Sequence, residues 1–179
     1  MIRIAKLPQK RWGAFKNLRL EALKTDPAAF GSSFEEEAKF SDDVWRERLR
    51  NALFALSDGE LVGMLSYVFS ARAKTRHVVN IYGVYVTPRR RGLGIGEMLI
   101  KQALSEIRKN NHIVKVDLSV NAHLHPAVSL YEKAGFKRVG RARNELKVGE
   151  RYYDMLLMEK EIRKVRAKTD SGRRTSSTP

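Results

Sequence analysis

The sequence predicts a single α/β domain, and three observations predict this fold class. The chain has 179 residues, of which 42% are hydrophobic and 31% charged, values typical of one globular domain with a sizeable core. Apolar residues recur with the period of a helix in some segments and with that of a strand in others, and the two kinds alternate along the chain. The segment 78–86 is apolar on both faces, which predicts a central strand covered from both sides.

The amino-terminal half is predicted to contain an edge strand, helices and a β-hairpin. The first helix is indicated by apolar residues at every third or fourth position after Pro8, and the hairpin by Asp58-Gly59, which suits a two-residue turn. The predicted elements are a strand over 1–7, a helix from Pro8 to about Thr25, short helices over 33–40 and 41–49, and strands over 53–57 and 61–70.

The carboxyl-terminal half is predicted to alternate strands with helices and to end in a hairpin around Gly149. Pro126 is suited to the first turn of a helix, and Gly135 to its end. The predicted elements are a strand over 78–86, a helix from about Ile95 to Asn110, a strand over 113–120, a short helix over 126–134, and strands over 137–143 and 151–160. We expect one domain over residues 1–162 and a basic, disordered tail over residues 163–179.

The composition excludes several classes of protein. The chain has no cysteine, which excludes disulfides, cysteine nucleophiles and thiolate metal sites and fits a reducing compartment. No apolar run approaches the ~20 residues needed to span a bilayer. We therefore expect a cytoplasmic protein without a membrane segment. His123 and His125 lack a nearby partner ligand, so no metal site is expected.

The segment from Arg91 to Gly96 has the features of an anion-binding turn. It follows an apolar strand and precedes a helix, whose first backbone N–H groups are unpaired and carry partial positive charge. Its glycines let the backbone approach a ligand closely, and arginine suits phosphate. The spacing does not match a Walker loop or a dinucleotide fingerprint, because Glu97 stands where each needs another residue.

The pattern Arg91-x-x-Gly94-x-Gly96 resembles the acetyl-CoA pyrophosphate loop of the Gcn5-related N-acetyltransferase (GNAT) family. A second stretch, Leu130-Tyr131-x-x-x-Gly135-Phe136, resembles the tyrosine signature of the same family. The resemblance implies a single-domain acyl-CoA N-acyltransferase fold, with a mixed, mostly antiparallel sheet flanked by helices. It also implies acetyl-CoA as cosubstrate and a primary amine as acceptor.

The resemblance assigns roles to individual residues. It implies that Tyr131 is the general acid for the leaving thiolate, although a core tyrosine bonded to a backbone group is the alternative. The implied coenzyme-binding residues are Val84, Tyr85, Val86, Arg91, Gly92, Leu93, Gly94, Ile95, Gly96 and Asn121. Asn121 is named because Leu124 stands where the family usually has an asparagine.

The general base is left open by the sequence. Many relatives have a glutamate early in the central strand, where this chain has Asn80. A water held by Asn80 or Tyr82 is one candidate. The others are the carboxylates of Glu35, Glu36, Glu37 and Asp154. The acidic run 35–37 is more simply explained as a solvated helix face.

Two other functions compete with an N-acetyltransferase. The formal net charge of +15 suits a nucleic-acid- or ribosome-associated protein, but the basic residues are scattered and no aromatic-basic motif accompanies them. Asn80 and Leu124 would suit a coenzyme A sensor without activity. We expect a small-molecule or peptide amine as acceptor, no membrane and no nucleic acid as partner, and allow for a homodimer.

Overall fold

The computed structural model describes residues 1–163, so all of the predicted tail except Arg163 lies outside the described residues. Within them, one sheet carries five α-helices. The strands are β1 (Ile2–Ala5), β2 (Ala52–Ser57), β3 (Glu60–Phe69), β4 (Val78–Val86), β5 (Lys115–Asn121), β6 (Lys137–Val148) and β7 (Arg151–Glu161). The helices are α1 (Trp12–Thr25), α2 (Phe34–Glu37), α3 (Asp42–Leu49), α4 (Ile95–Arg108) and α5 (His125–Lys133).

The sheet is mixed and mostly antiparallel, as predicted. Its seven strands lie in the order β1-β2-β3-β4-β5-β7-β6. Among the strand pairs in the described part of the chain, only β4–β5 is parallel, because α4 connects these two strands as a crossover. The predicted edge strand β1 lies at one edge, and β4 lies in the middle, which confirms both expectations.

Helices cover both faces of the sheet and form two hydrophobic cores. On one face α4 buries apolar residues that recur with the helical period: Ile95, Leu99, Ala103 and Ile107 are each no more than 1% exposed. On the other face Phe15 of α1 meets Trp45 of α3 edge to face, with ring centroids 5.5 Å apart. Full burial of one such apolar side chain stabilises the folded state by about 1.5–3 kcal/mol. The cores fix the helices that carry the site.

The hairpins match the predicted turns, and the last one is longer than predicted. Asp58 and Gly59 both have positive φ, +50° and +87°, as a two-residue hairpin turn of this kind requires. Strand β6 extends to Val148 because its pairing with β7 resumes after a register shift near Asn144, whose φ is +52°. The Asn144 N–H donates to Asp154 of β7 at 2.8 Å and stabilises this irregularity.

Strands β4 and β5 separate after a short paired stretch. Residues 78–80 pair with residues 115–117, and no later residue of β4 pairs with β5. The register of β4 against β3 shifts between Tyr85 and Tyr82, and Gly83 within the shift has a φ of +60°. This is a β-bulge, which bends a strand away from its neighbour. The carboxyl half of β4 therefore presents an unpaired edge to a gap in the sheet.

None of the helices in residues 1–163 combines the length and the apolar character that crossing a membrane requires. Arg163, the first residue of the predicted tail, is hydrogen-bonded to the domain. Its guanidinium donates to the carbonyl oxygen of Arg108 at 2.8 Å and to that of Ile113 at 2.9 Å.

Candidate active site

The glycine loop, residues 91–96 between β4 and α4, presents consecutive backbone N–H groups without a protein acceptor. Gly92 and Gly94 have φ of +77° and +73°, and Gly94 is the N-cap of α4. Across residues 1–163, no acceptor lies opposite the backbone N–H groups of residues 92–97, and the Met98 N–H is the first to bond, to the Gly94 carbonyl at 3.0 Å. Free amides at a helix N-terminus favour an anion there.

Replacing Gly94 by alanine is expected to weaken coenzyme binding and lower stability. A Cβ at Gly94 would have open space, so the cost comes from the φ of +73°, which an L side chain adopts at a cost of about 1–2 kcal/mol. Relief of that strain would turn the amides of the loop. Calorimetry with acetyl-CoA should show a Kd raised several-fold, and the melting temperature should fall by roughly 2–6 °C.

Gly13→Ala in α1 is the matched control, because Gly13 also has open space but no positive φ. It should stabilise the protein by about 0.5–1 kcal/mol. Acetyl-CoA binding to Gly94→Ala with the affinity of the original protein would show that the loop conformation is not needed for the ligand.

Arg91 holds the loop against the end of α1. Its guanidinium is ion-paired with Asp26 and donates through Nε to the Val86 carbonyl at 3.0 Å. It also lies 5.7 Å from the ring centroid of Tyr85. The side chain therefore fixes the position of the loop relative to β4 without using the backbone amides of residues 92–97.

Two cavities flank the unpaired half of β4. The first, the loop cavity, has a volume of about 550 Å³ and lies between β4, the glycine loop and α5. The predicted coenzyme residues that line it are Val84, Tyr85, Val86, Arg91, Gly92, Gly94, Ile95 and Gly96. Leu93 and Asn121 do not line it, and the Leu93 side chain is 60% exposed.

The second, the inner cavity, has a volume of about 540 Å³ and lies on the side of β4 that faces α1 and α3. Its apolar wall includes Phe15, Phe30 and Met64. Arginine side chains from both helices, Arg19 and Arg48, also line it. The size is that of a small-molecule site.

Tyr131 of α5 lines both cavities. Its position depends on Gly96, because a Cβ there would come within 3.0 Å of the Leu130 side chain, so the glycine lets α5 approach the start of α4. Tyr131 is 7% exposed, and burial raises the pKa of its phenol well above the ordinary value. Burial is the sole cause of this shift, and no group among residues 1–163 is hydrogen-bonded to the hydroxyl. The alternative of a core tyrosine with a backbone partner is therefore not what the structure shows.

The protein family of the chain follows from its similarity to known proteins. Residues 15–136 match the model described as the acetyltransferase (GNAT) family. The chain belongs to the GNAT family. The predicted family, fold class and class of enzyme, an N-acetyltransferase, are thereby confirmed.

Individual relatives of this GNAT chain include proteins from several bacteria. It is 29% identical over 124 residues to the L-amino acid N-acetyltransferase AaaT of Escherichia coli, a match that covers 66% of this chain and 75% of the relative. Its fold matches a GNAT acetyltransferase structure from Streptococcus pneumoniae with a TM-score of 0.80 and 22% identity, over 90% of this chain and 99% of the other. It matches yncA of Salmonella typhimurium, solved with its cofactor acetyl-CoA, with a TM-score of 0.79 and 19% identity, over 93% and 97%.

Asn121 has a structural position in this GNAT domain. Its side chain is 1% exposed, its Nδ2 donates to the Ala28 carbonyl at 2.9 Å, and its Oδ1 accepts from the His123 N–H at 2.9 Å. Both polar atoms are therefore used within the protein, and they hold the turn after α1 against the end of β5. Leu124, which stands where the family usually has asparagine, lines both cavities instead.

The interpretation of Glu37 as part of a solvated helix face is wrong. Glu37 is 1% exposed and accepts hydrogen bonds from Arg19 at 2.8 and 3.0 Å and from Arg48 at 2.9 and 3.1 Å. Burial alone would raise the pKa of Glu37, but the hydrogen bonds and charges of the two arginines outweigh it and lower the pKa to about 2. A carboxylate so stabilised is a poor general base.

The other carboxylates considered as bases also lie away from the inner cavity. Asp154 accepts from Asn144 and is ion-paired with Arg141, and these contacts lower its pKa. Glu36 forms a capping box with Ser33 at the start of α2. Of the candidates for the general base named from the sequence, only Tyr82 lines the inner cavity, and the carboxylate that lines it within residues 1–163 belongs to Glu47.

Sequence reasoning missed the charged groups that line the inner cavity, namely Arg19, Arg48 and Glu47. One signal for Arg19 was present. It follows Leu18 within the apolar stripe of α1, four residues after Phe15, where a solvent-facing arginine is not expected. No such signal marks Arg48, whose cavity position depends on how α3 packs.

Proposed function

We propose that this chain transfers the acetyl group of acetyl-CoA to a primary amine by direct attack, with Tyr131 as the general acid. The observation that carries the proposal is the position of Tyr131 between two cavities. One of them is lined by the glycine loop, and the other is of a size for a small acceptor. A phenol at that junction would contact both the leaving sulfur and the attacking amine.

The loop cavity is the site proposed for the coenzyme. The free amides of residues 92–97 would hold the pyrophosphate, as at other helix N-termini that bind phosphate. The unpaired edge of β4 at Val84, Tyr85 and Val86 would pair with the amide groups of the pantetheine arm, in the manner of an added strand. Among the solved structures of similar fold, yncA contains acetyl-CoA.

The proposed reaction forms a C–N bond and breaks a C–S bond. The amine nitrogen attacks the thioester carbonyl carbon, and a backbone N–H of β4 stabilises the oxygen as it gains negative charge. Collapse of the intermediate expels the thiolate, which takes the phenolic proton of Tyr131. The proton lost by the amine passes to water in the inner cavity, and Tyr131 regains a proton from water.

Burial of Tyr131 suits this role. Since burial raises the pKa of the phenol, the neutral form that can donate a proton is present throughout the neutral range. The same environment disfavours the leaving thiolate, whose pKa is ~8.5 in water, and so favours proton transfer as the C–S bond breaks.

Thermal unfolding with and without coenzyme A tests the coenzyme half of the proposal. A ligand bound only by the folded protein adds about 2.7 kcal/mol of stability at a concentration of 100 Kd, so the melting temperature should rise by several degrees. An adenosine 3′,5′-bisphosphate control, which lacks the pantetheine arm and the pyrophosphate, should raise it less. An unchanged melting temperature at millimolar coenzyme A would contradict the proposal.

Release of free thiol from acetyl-CoA in the presence of a panel of amines, amino acids and peptides tests the chemical half. At least one acceptor should release thiol at a rate well above hydrolysis, and mass spectrometry should find the acceptor heavier by one acetyl group. Coenzyme A that stabilises the protein without transfer to any acceptor would favour the coenzyme sensor considered from the sequence.

A further inference from the structure

The inner cavity contains a buried arginine with an unused donor. Arg19 is 6% exposed, and its Nε and Nη2 donate to Glu37. Its Nη1 is buried and has no hydrogen-bond partner within the described part of the chain. Nη1 lies 3.5 Å from the position of a Cβ on Gly83, so it points at the bulge of β4 beside the reaction site. A buried cationic N–H needs an acceptor, because leaving it unsatisfied costs several kcal/mol.

A second arginine shares the carboxylate of Glu37 and faces the same cavity. Arg48 of α3 donates to both oxygens of Glu37, and its side chain remains 35% exposed. Glu37 thus holds two guanidinium groups side by side, and the trio carries one excess positive charge. Phe30 lies under the guanidinium of Arg19, with the ring centroid 4.6 Å away, and restricts it further.

The remaining charges near the cavity do not cancel this excess. The carboxylate of Glu47 also lines the cavity, but it is 65% exposed and ion-paired with Arg50 at 2.9 Å. The other polar side chains of the lining are neutral: Ser32, Asn51, Ser66, Tyr82, Ser119 and Tyr131. The positive end of the inner cavity is therefore formed by Arg19 and Arg48.

We propose that the acceptor carries a carboxylate, which Arg19 Nη1 and Arg48 bind while the amine of the same molecule faces Tyr131. This inference rests on the proposed function and names its acceptor class, an amino carboxylate such as a free amino acid. Arginine favours carboxylates because its planar N–H groups match the two oxygens. A plain cationic amine would meet the excess positive charge with nothing to balance it.

A matched set of acceptors tests the proposal on the unaltered protein. Leucine, leucinamide and 3-methylbutylamine share one side chain but carry a carboxylate, a neutral amide and no such group. Leucine should have a kcat/KM at least about 30-fold above the other two, since a charge-assisted hydrogen bond contributes about 1.5–3 kcal/mol. The amine of leucinamide is less basic than that of leucine, so more of it is unprotonated and able to attack. This difference alone would favour leucinamide, opposite to the expected order. Leucyl-glycine, whose carboxylate lies further from the amine, separates free amino acids from peptides.

The variant Arg48→Gln tests which residues read the carboxylate. It should raise the KM for leucine about 10-fold or more, leave the KM for acetyl-CoA unchanged and reduce the preference for leucine over 3-methylbutylamine, while Arg48→Lys should recover part of the loss. Arg46→Gln on the same helix is the control. Its side chain is 40% exposed, close to the 35% of Arg48, but Arg46 pairs with Asp43 and does not line the cavity.

The outcomes separate this inference from the proposed function. Acetyl transfer with no preference for leucine over 3-methylbutylamine overturns the inference alone. If no amine is acetylated, the proposed function fails, and calorimetry of the coenzyme A complex still tests the inference. Leucine should then bind at least about 10-fold more tightly than leucinamide and 3-methylbutylamine, and equal affinities would overturn the inference.

Discussion

Tyr131→Phe is expected to lower kcat about 100-fold or more while leaving the Kd for acetyl-CoA within about twofold. A positioned general acid or base typically raises the rate about 10²–10⁴-fold, and the substitution removes the proton that the departing thiolate needs. The ring stays, so its packing against Phe136, with centroids 6.0 Å apart, is kept. The measurement is thiol release at saturating acceptor, with coenzyme binding followed by calorimetry.

Tyr67→Phe provides the control for this variant. Tyr67 is 4% exposed against 7% for Tyr131, so both hydroxyl groups are lost from a similarly buried ring, but Tyr67 lies outside both cavities. Its removal should leave kcat unchanged. Turnover by Tyr131→Phe at the rate of the Tyr67→Phe protein would remove Tyr131 from the mechanism.

The pH profile gives a second readout on Tyr131. Burial raises the pKa of the phenol, so the proton-bearing form persists below that raised pKa. We therefore expect kcat to show no falling alkaline limb near pH ~10, where an unperturbed tyrosine would ionise. A falling limb with an apparent pKa near that of free tyrosine would mean that the donor is exposed to solvent, contrary to the structure.

Glu37→Ala is expected to destabilise the protein by about 3–5 kcal/mol, the cost typical of breaking a buried ion pair by removing one partner. The loss leaves the guanidinium of Arg19, whose side chain is 8% exposed, without its carboxylate. Urea unfolding followed by circular dichroism measures the difference. Glu35→Ala, the exposed neighbour in α2, is the control and should change stability by less than about 0.5 kcal/mol.

The pH dependence of stability follows from the same carboxylate. Glu37 has a pKa of about 2 in the folded protein against 4.5 as the ordinary value. Because its pKa is lower in the folded protein, ionised Glu37 stabilises the fold at pH values above 4.5. That stability is lost as the pH falls from 4.5 towards 2. At 1.36 kcal/mol per pKa unit, the free energy of unfolding falls by roughly 3 kcal/mol over this pH range. Glu37→Gln should lack this part of the acid sensitivity, and an unaltered acid profile in that variant would contradict the assignment.

The helices, the strands and the conformation of the loop before α4 were largely predictable because their signals are local. The stripe of α4 follows from its own spacing, and the hairpin at Asp58-Gly59 from the turn that those residues favour. The loop was predicted from its glycines, and Gly92 and Gly94 have the positive φ that glycine favours. Each of these depends on residues that are neighbours in the chain.

The errors fall where the environment of a side chain depends on distant segments. Glu37 was interpreted as solvated because three consecutive glutamates are typical of an exposed helix face. Its burial depends on Arg19, eighteen residues earlier, and on Arg48, eleven residues later. The role of Asn121 in coenzyme binding stays a prediction, but its contact with the Ala28 carbonyl, 93 residues away, could not be foreseen from the sequence.

The sequence by itself determined the order of strands and helices, the phosphate-suited loop at residues 91–96 and the family to which the chain belongs, because periodicity, turn chemistry and motif spacing are properties of neighbouring residues. Only the tertiary structure decided that the bulge at Gly83 opens a gap beside β4, that Tyr131 stands between the two cavities, and that Arg19 and Arg48 are held together by Glu37. These depend on packing between segments far apart in the chain, where burial and the pairing of charges set the geometry and the protonation of each group.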